Sequence, residues 1–136
     1  MAEIKVNNSS SKKIIKKYYL PLGLYALFIF ILSSIPSDEF PEIDVPFIDK
    51  YTHFIEYAIF SFLTIRALIK EDTIKNYISK SLSAIVITAL YGATDELHQL
   101  FVPGRNCEIM DLLADLLGAF IGVVIWRITR FIWKKN

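Results

Sequence analysis

Adjacent acids at Asp95 and Glu96, a histidine at His53, and a pair of aspartates four residues apart at Asp111 and Asp115 stand out in this 136-residue chain as groups able to do chemistry. Carboxylates and imidazole are the side chains that hold divalent cations and move protons near neutral pH. At helical spacing they fall in register. Asp49, His53, Glu56, Tyr57 and Phe60 share one face, and Asp95, Glu96 and Gln99 occupy an arc of about a quarter-turn or slightly more at 100° per residue. Asp111, Asp115, Gly118 and Gly122 form a narrow stripe at spacings of four, three and four.

Three readings of Asp95 and Glu96 follow: a divalent-cation site, a carboxylate pair sharing a proton, or partners for Arg105 and Lys50. Clustered acids disfavour one another's ionisation unless a cation neutralises them. We expect His53, Asp95 and Glu96, with Asp111 and Asp115 as further candidates, to hold a cation or do acid–base work, and Asp95, Glu96 and Asp111 to form a metal set. Oxygen donors with one imidazole suit Mg²⁺, Mn²⁺ or, less cleanly, Zn²⁺. Arg105 and Lys50 are the cations available to an anionic group, the first through its planar fork. Tyr57, Gln99 and Asp115 are expected to orient a bound group.

Plainer roles stand beside these. Asp49 suits a helix cap, and Asp111 suits the positive end of a helix dipole. Neither role accounts for Glu56, Asp95 or Asp115, which lie beyond a first turn. A lone buried histidine is more often a hydrogen-bonding core residue, and Arg105 alone suits a surface bridge to Glu108 or Asp111. The whole cluster can also be read as a structural ion-pair network.

The elements that must position these groups are membrane-like. The chain is 54% hydrophobic and 21% charged, with a mean hydropathy of +0.42, too apolar for an ordinary soluble domain of about 25% charge. Its length supports one domain. A net charge of +1 gives no reason to expect a nucleic-acid partner, and a single cysteine, Cys107, excludes an internal disulfide. Residues 18–35 form an uncharged run behind Lys12, Lys13, Lys16 and Lys17. The run is longer than a signal-peptide core and no small-residue cleavage site follows, so it reads as a retained anchor. Residues 51–69, 81–102 and 109–133 are apolar segments interrupted by charge.

Charge sidedness favours four spans over a tethered soluble bundle. With the N-terminus inside, thirteen of the fifteen basic residues fall on the inner side against three acids, and only Lys50 and Arg105 join eleven acids outside. The +1 therefore divides into +10 and −9. Lysine and arginine concentrate in cytoplasmic loops. The expectation is an all-α bundle of four transmembrane helices with both termini cytoplasmic, lying in the bilayer. Residues 1–17 form a basic cytoplasmic segment, polar and mobile over 1–12, and 18–136 form a single membrane domain.

Residues 36–46 read as a short acidic outer loop and 70–76 as a charged inner turn. Pro103 and Gly104 break the chain between the third and fourth spans. Asp49, Glu56, Pro103, Gly104, Gly118 and Gly122 are assigned structural roles. The small-residue pair Gly118 and Gly122 suits close packing inside the bundle first, and a homodimer second.

Three motifs carry a resemblance: Asp49-Lys50-x-x-His53-Phe54-x-Glu56-Tyr57, then Asp95-Glu96-x-x-Gln99-x-Phe101-x-Pro103-Gly104-Arg105, then Asp111-x-x-x-Asp115-x-x-Gly118-x-x-x-Gly122. In this order, over roughly residues 33 to 125, the chain resembles the VanZ-like family. The family pattern has Asn where this chain has Asp115, a departure that adds an acid and removes an amide donor. The resemblance implies a small multi-span protein of the bacterial cytoplasmic membrane, in a family whose namesake is linked to teicoplanin resistance. It implies no settled reaction.

Combined with the one-sided polar cluster, this points to an outer-leaflet enzyme or binder of lipid-linked, phosphate-bearing envelope components. A divalent cation is a candidate cofactor, and the acid–base group a candidate catalyst. The competing expectations are an ion- or proton-coupled small transporter and a structural partner in envelope assembly.

Overall fold

A computed structural model describes residues 12–39, 45–70, 74 and 76–135. Expectations that fall on residues 1–11, on 40–44 of the acidic loop and on 71–73 and 75 of the inner turn lie outside the described residues. All regular structure in the described residues is helical. The first helix, α1 (Leu20–Ser33), continues a π-helical turn, Ile15–Tyr19. The helical stretch therefore begins by Lys12, ahead of the expected start of the span. Pro21 lies at the junction, where it cannot donate to the carbonyl four residues back, and the wider turn just before it accommodates that loss.

Three longer helices follow: α2 (Ile48–Leu68), α3 (Tyr77–Gln99) and α4 (Ile109–Lys135). They run up and down, with α2 and α4 in the most extensive contact, α3 against both, and α1 against α2 and α3 only. The α2–α4 approach is close because Gly118 and Gly122 are glycines. A Cβ at 118 would collide with the Phe54 carbonyl, and one at 122 with the Ala58 carbonyl. Between them the Ser61 hydroxyl donates to the Ala119 carbonyl at 2.6 Å. The small-residue stripe is thus packed against α2 of the same chain.

Helix ends are held by particular side chains. Asn76 caps α3 by accepting from the Ile78 amide at 2.9 Å. Arg105 donates to the carbonyls of Ile35 and Leu32, at 3.2 and 3.3 Å, closing the end of α1. Lys80 reaches the Ile69 carbonyl at the end of α2, at 3.1 Å. Asp49 is not the cap of α2: that position is Phe47, in the left-handed region at φ 60°, with no side-chain cap bond. Asp49 sits instead in the first turn, where its charge suits the helix dipole.

Gly104 turns the chain with φ 73°, packed against Ser37, whose amide donates to the Pro103 carbonyl at 3.4 Å. Nearby, His98 Nε2 lies 3.0 Å from Ser34 Oγ, tying the ends of α1 and α3. α1 joins the bundle through Ile29, which is buried with Tyr57 and Phe60, and through the Tyr91 hydroxyl, which donates to the Ala26 carbonyl at 2.7 Å.

The two ends of the bundle differ in charge. Lys17, Arg66 and Lys70 gather around the Tyr18 ring at 5.2–5.6 Å, and Arg130 stacks on Tyr77. Asp49, Glu96, Glu108, Asp111 and Asp115 collect at the other end. Two helices, Lys12–Ser33 and Ile109–Lys134, are long and apolar enough to cross a membrane. α2 and α3 have 21 and 23 residues, sufficient length, but carry the polar groups.

Replacing Gly122 by Leu should push α4 off α2. The expected loss is about 1–3 kcal/mol or more, read as a lower thermal midpoint in detergent micelles. Gly23→Leu, where nothing stands within 4 Å, should leave the midpoint nearly unchanged.

Candidate functional site

A cavity of about 350 Å³ opens at the acidic end, between the end of α1, the first turns of α2 and the last turn of α3. Leu32 and Ile48 give it an apolar side. His53, Glu56, Asp95, Gln99 and Arg105 give it a polar one. The polar set comes together because His53 and Glu56 lie three residues apart on α2, while Asp95 and Gln99 lie four apart on α3. Gln99 donates to the Asp95 carboxylate at 3.3 Å, which fixes both side chains on the wall.

Behind this wall, toward α4, His53 meets two more acids. Its Nδ1 is 2.9 Å from Asp115 Oδ1 and 3.7 Å from Glu96 Oε1. The Tyr57 ring lies parallel to the imidazole, 6.1 Å away between centroids, and fixes its plane. Glu96 accepts the Glu108 amide on Oε2 at 3.0 Å, so the start of α4 is bonded to the end of α3. Asp115 Oδ2 faces Gly92, where a Cβ would stand only 2.5 Å from it. One histidine therefore belongs both to the cavity wall and to a buried carboxylate pair.

A second charged group sits at the outer edge. Lys50, which precedes the expected second span, bonds Asp49 and Glu108 and lies 3.1 Å from Asp111. Loss of water works against its charge, but those bonds outweigh the loss and raise its pKa above the ordinary lysine value.

Measured against the expected sites, the structure divides the residues. Asp95, Glu96 and Asp111, grouped as one metal set from the sequence, are separated. Asp95 is on the cavity wall, Glu96 is behind His53, and Asp111 is with Lys50. Neighbours on a helix point about 100° apart, so Asp95 and Glu96 cannot serve one centre equally. His53 and Asp115 join Glu96 instead, as one nitrogen and two carboxylates whose ligand atoms lie within 4.8 Å of one another.

Lys50 and Arg105, expected together on an anionic group, are also parted. Lys50 is engaged by three carboxylates, whereas Arg105 lines the cavity while closing α1. Lys50 pairs with both Glu108 and Asp111, the acids expected to meet Arg105. Tyr57 is fully buried between Ile29 and Phe60 rather than on the cavity wall.

Four residues escaped the sequence reading. Ser33, Ser37 and Thr52 line the cavity, and nothing in their local pattern marks them. Gly92 had a signal: a glycine within a helix costs about 1 kcal/mol against alanine, and this one lies four residues before Glu96.

No curated protein and no solved structure matches the chain. The family model described as VanZ/LLP1 matches residues 3–130. That match takes in all four helices but the last few residues of α4, together with the cavity wall, the buried trio and the Lys50 cluster, and the chain belongs to the VanZ/LLP1 family.

Proposed function

We propose that the chain is a multi-pass protein of the bacterial cytoplasmic membrane, with four spans and both termini inside. In this reading its outer-leaflet cavity binds the phosphate-bearing head group of a lipid-linked envelope component. What supports four spans is the burial pattern. Buried polar residues are at least as numerous as buried apolar ones among the described residues. Large apolar side chains cover the outside, Ile55 and Ile59 on α2 and Leu82, Val86 and Leu90 on α3 among them. A soluble bundle places these groups the other way round. Helices too polar to call as spans from hydropathy can cross a bilayer when their polar groups face one another.

The observation that carries the head-group reading is the two-sided cavity at the acidic end. An amphiphile needs apolar surface for its chain and polar groups for its head. Leu32 and Ile48 supply the first, and Arg105, Gln99 and His53 the second. Arg105 supplies positive charge in a fork suited to phosphate. His53 connects that wall to Glu96 and Asp115, and so is the group through which acid–base work would reach a bound substrate. Sequestering or altering such a component is a route to lowered glycopeptide susceptibility, including to teicoplanin.

A transport pathway has less support. Below the site, two of the buried hydroxyls are bonded to backbone within the bundle: Ser61 on the Ala119 carbonyl and Thr64 on the Phe60 carbonyl. A role as an assembly partner through Gly118 and Gly122 is disfavoured by the packing of both against α2.

Three measurements test the proposal. Cys107 is exposed and is the chain's one cysteine. A membrane-impermeant maleimide should label it in intact cells. A cysteine placed at Lys134 in a Cys107→Ser background should react only after permeabilisation. The reverse pattern would sink the topology. Secondly, protein in micelles should bind a polyprenyl diphosphate and not the parent polyprenol. Arg105→Gln should weaken that binding at least tenfold, about 1.4 kcal/mol, with a thermal midpoint measured alongside because Arg105 also closes α1. His53→Ala and Asp95→Asn should fail to restore teicoplanin tolerance to a deletion strain. Full restoration by both would overturn the assignment of this cavity.

A further inference from the structure

His53, Glu96 and Asp115 reach one point from three helices, and their side chains are 9%, 1% and 1% exposed. Two carboxylates there face a single imidazole, so even a protonated His53 offsets only half of their charge. The imidazole is 2.9 Å from Asp115 but 3.7 Å from Glu96, and Glu96 Oε1 has no hydrogen-bond partner. Asp115 Oδ2 likewise has none. Buried carboxylate oxygens in this condition are costly unless a cation is near.

Lys50 does not fill the gap, being bonded to Asp49, Glu108 and Asp111. Asp95 adds a further carboxylate near the trio. Gly92 supplies a separate observation. It is buried in the middle of α3, and its missing side chain leaves the space that Asp115 Oδ2 occupies.

We propose that His53, Glu96 and Asp115 form a binding site for a divalent transition-metal cation of the Mn²⁺ or Zn²⁺ kind, with Zn²⁺ as the probe. One imidazole nitrogen and two carboxylates sum with Zn²⁺ to zero charge, which removes the imbalance. Three protein ligands with a position left for water is the pattern of catalytic rather than structural zinc sites. Mg²⁺ fits less well, because it keeps its waters and favours oxygen over imidazole. The proton that a 2.9 Å contact between His53 Nδ1 and Asp115 Oδ1 requires is released when the cation takes its place.

The site does not depend on the head-group reading and is measured without lipid. The full chain would be purified in detergent in a Cys107→Ser background, without a histidine tag, stripped with a chelator and titrated with Zn²⁺. One equivalent should bind and raise the thermal midpoint, and chelator should reverse both. Glu96→Gln and Asp115→Asn should each weaken binding at least tenfold, and Gly92→Ala should weaken it with all three ligands kept. Asp49→Asn, in the Lys50 cluster, should stay within twofold.

Co²⁺ gives a readout free of variants, through visible absorption bands of a nitrogen–oxygen site. Less than stoichiometric Zn²⁺ on folded protein, no Co²⁺ bands, or unchanged affinity in both Glu96→Gln and Asp115→Asn would each overturn the site. Zinc binding without polyprenyl diphosphate binding would sustain the metal site and remove the head-group reading. Lipid binding without metal would do the opposite.

Discussion

The close approach of α2 and α4 sets the distances on which the site depends. Gly118 lies three residues after Asp115 on α4, and Phe54, whose carbonyl it faces, is the residue after His53 on α2. Backbone contact at that level holds the two helices near enough for His53 Nδ1 and Asp115 Oδ1 to stand 2.9 Å apart. A side chain at Gly118 or Gly122 would widen the gap and separate the pair. Ser61 bonded to the Ala119 carbonyl repeats the contact one level further along. The two glycines therefore act on the His53–Asp115 pair through geometry, without touching either side chain.

α3 completes the arrangement from the third side. It brings Glu96 behind His53 and Asp95 in front of it, because successive residues on a helix diverge by about 100°. The bond from the Glu108 amide to Glu96 then joins the end of α3 to the start of α4. The same end holds Lys50 among Asp49, Glu108 and Asp111. One acidic group is thus matched by a lysine at the edge, while a deeper one is matched only in part by a histidine. This difference in compensation, more than the number of acids, separates the edge cluster from the buried trio.

Much of this was legible in the sequence, and the parts that were not share a cause. The four helices, their order and the division of charge between their ends follow from spacing and sidedness. So does the convergence of α2, α3 and α4 on one polar region. Grouping within that region did not follow. Adjacency in sequence put Asp95 with Glu96, whereas helix rotation sends one to the cavity and the other to α4. Lys50 and Arg105 looked equivalent as the two outer cations, but the short reach from α2 to Glu108 and Asp111 engages the lysine. Arg105 comes from the turn beside Ser37 and so meets α1. Which neighbour a charged side chain chooses is decided by interhelical distances, and a single sequence does not contain them.

α1 shows how the cavity and the trio come to be joined. It packs on α2 and α3 but does not reach α4, so its end closes only the cavity side of His53. The trio on the opposite side is closed by α4. His53 is consequently the partition between a wall built by the most peripheral helix and a pocket built by the most tightly packed pair. A movement of α1 would alter the cavity while leaving the 2.9 Å contact with Asp115 in place. Its ties to α3 include the Tyr91 hydroxyl on the Ala26 carbonyl, and Ser34 and Phe30 with His98 beside the cavity. With Arg105 holding the carbonyls of Leu32 and Ile35 as well, the end of α1 beside the cavity is fixed to the connection between α3 and α4. The Pro103-Gly104-Arg105 turn thus meets the end of α1 and the residues just after it, Arg105 through Leu32 and Ile35, and Pro103 and Gly104 through Ser37.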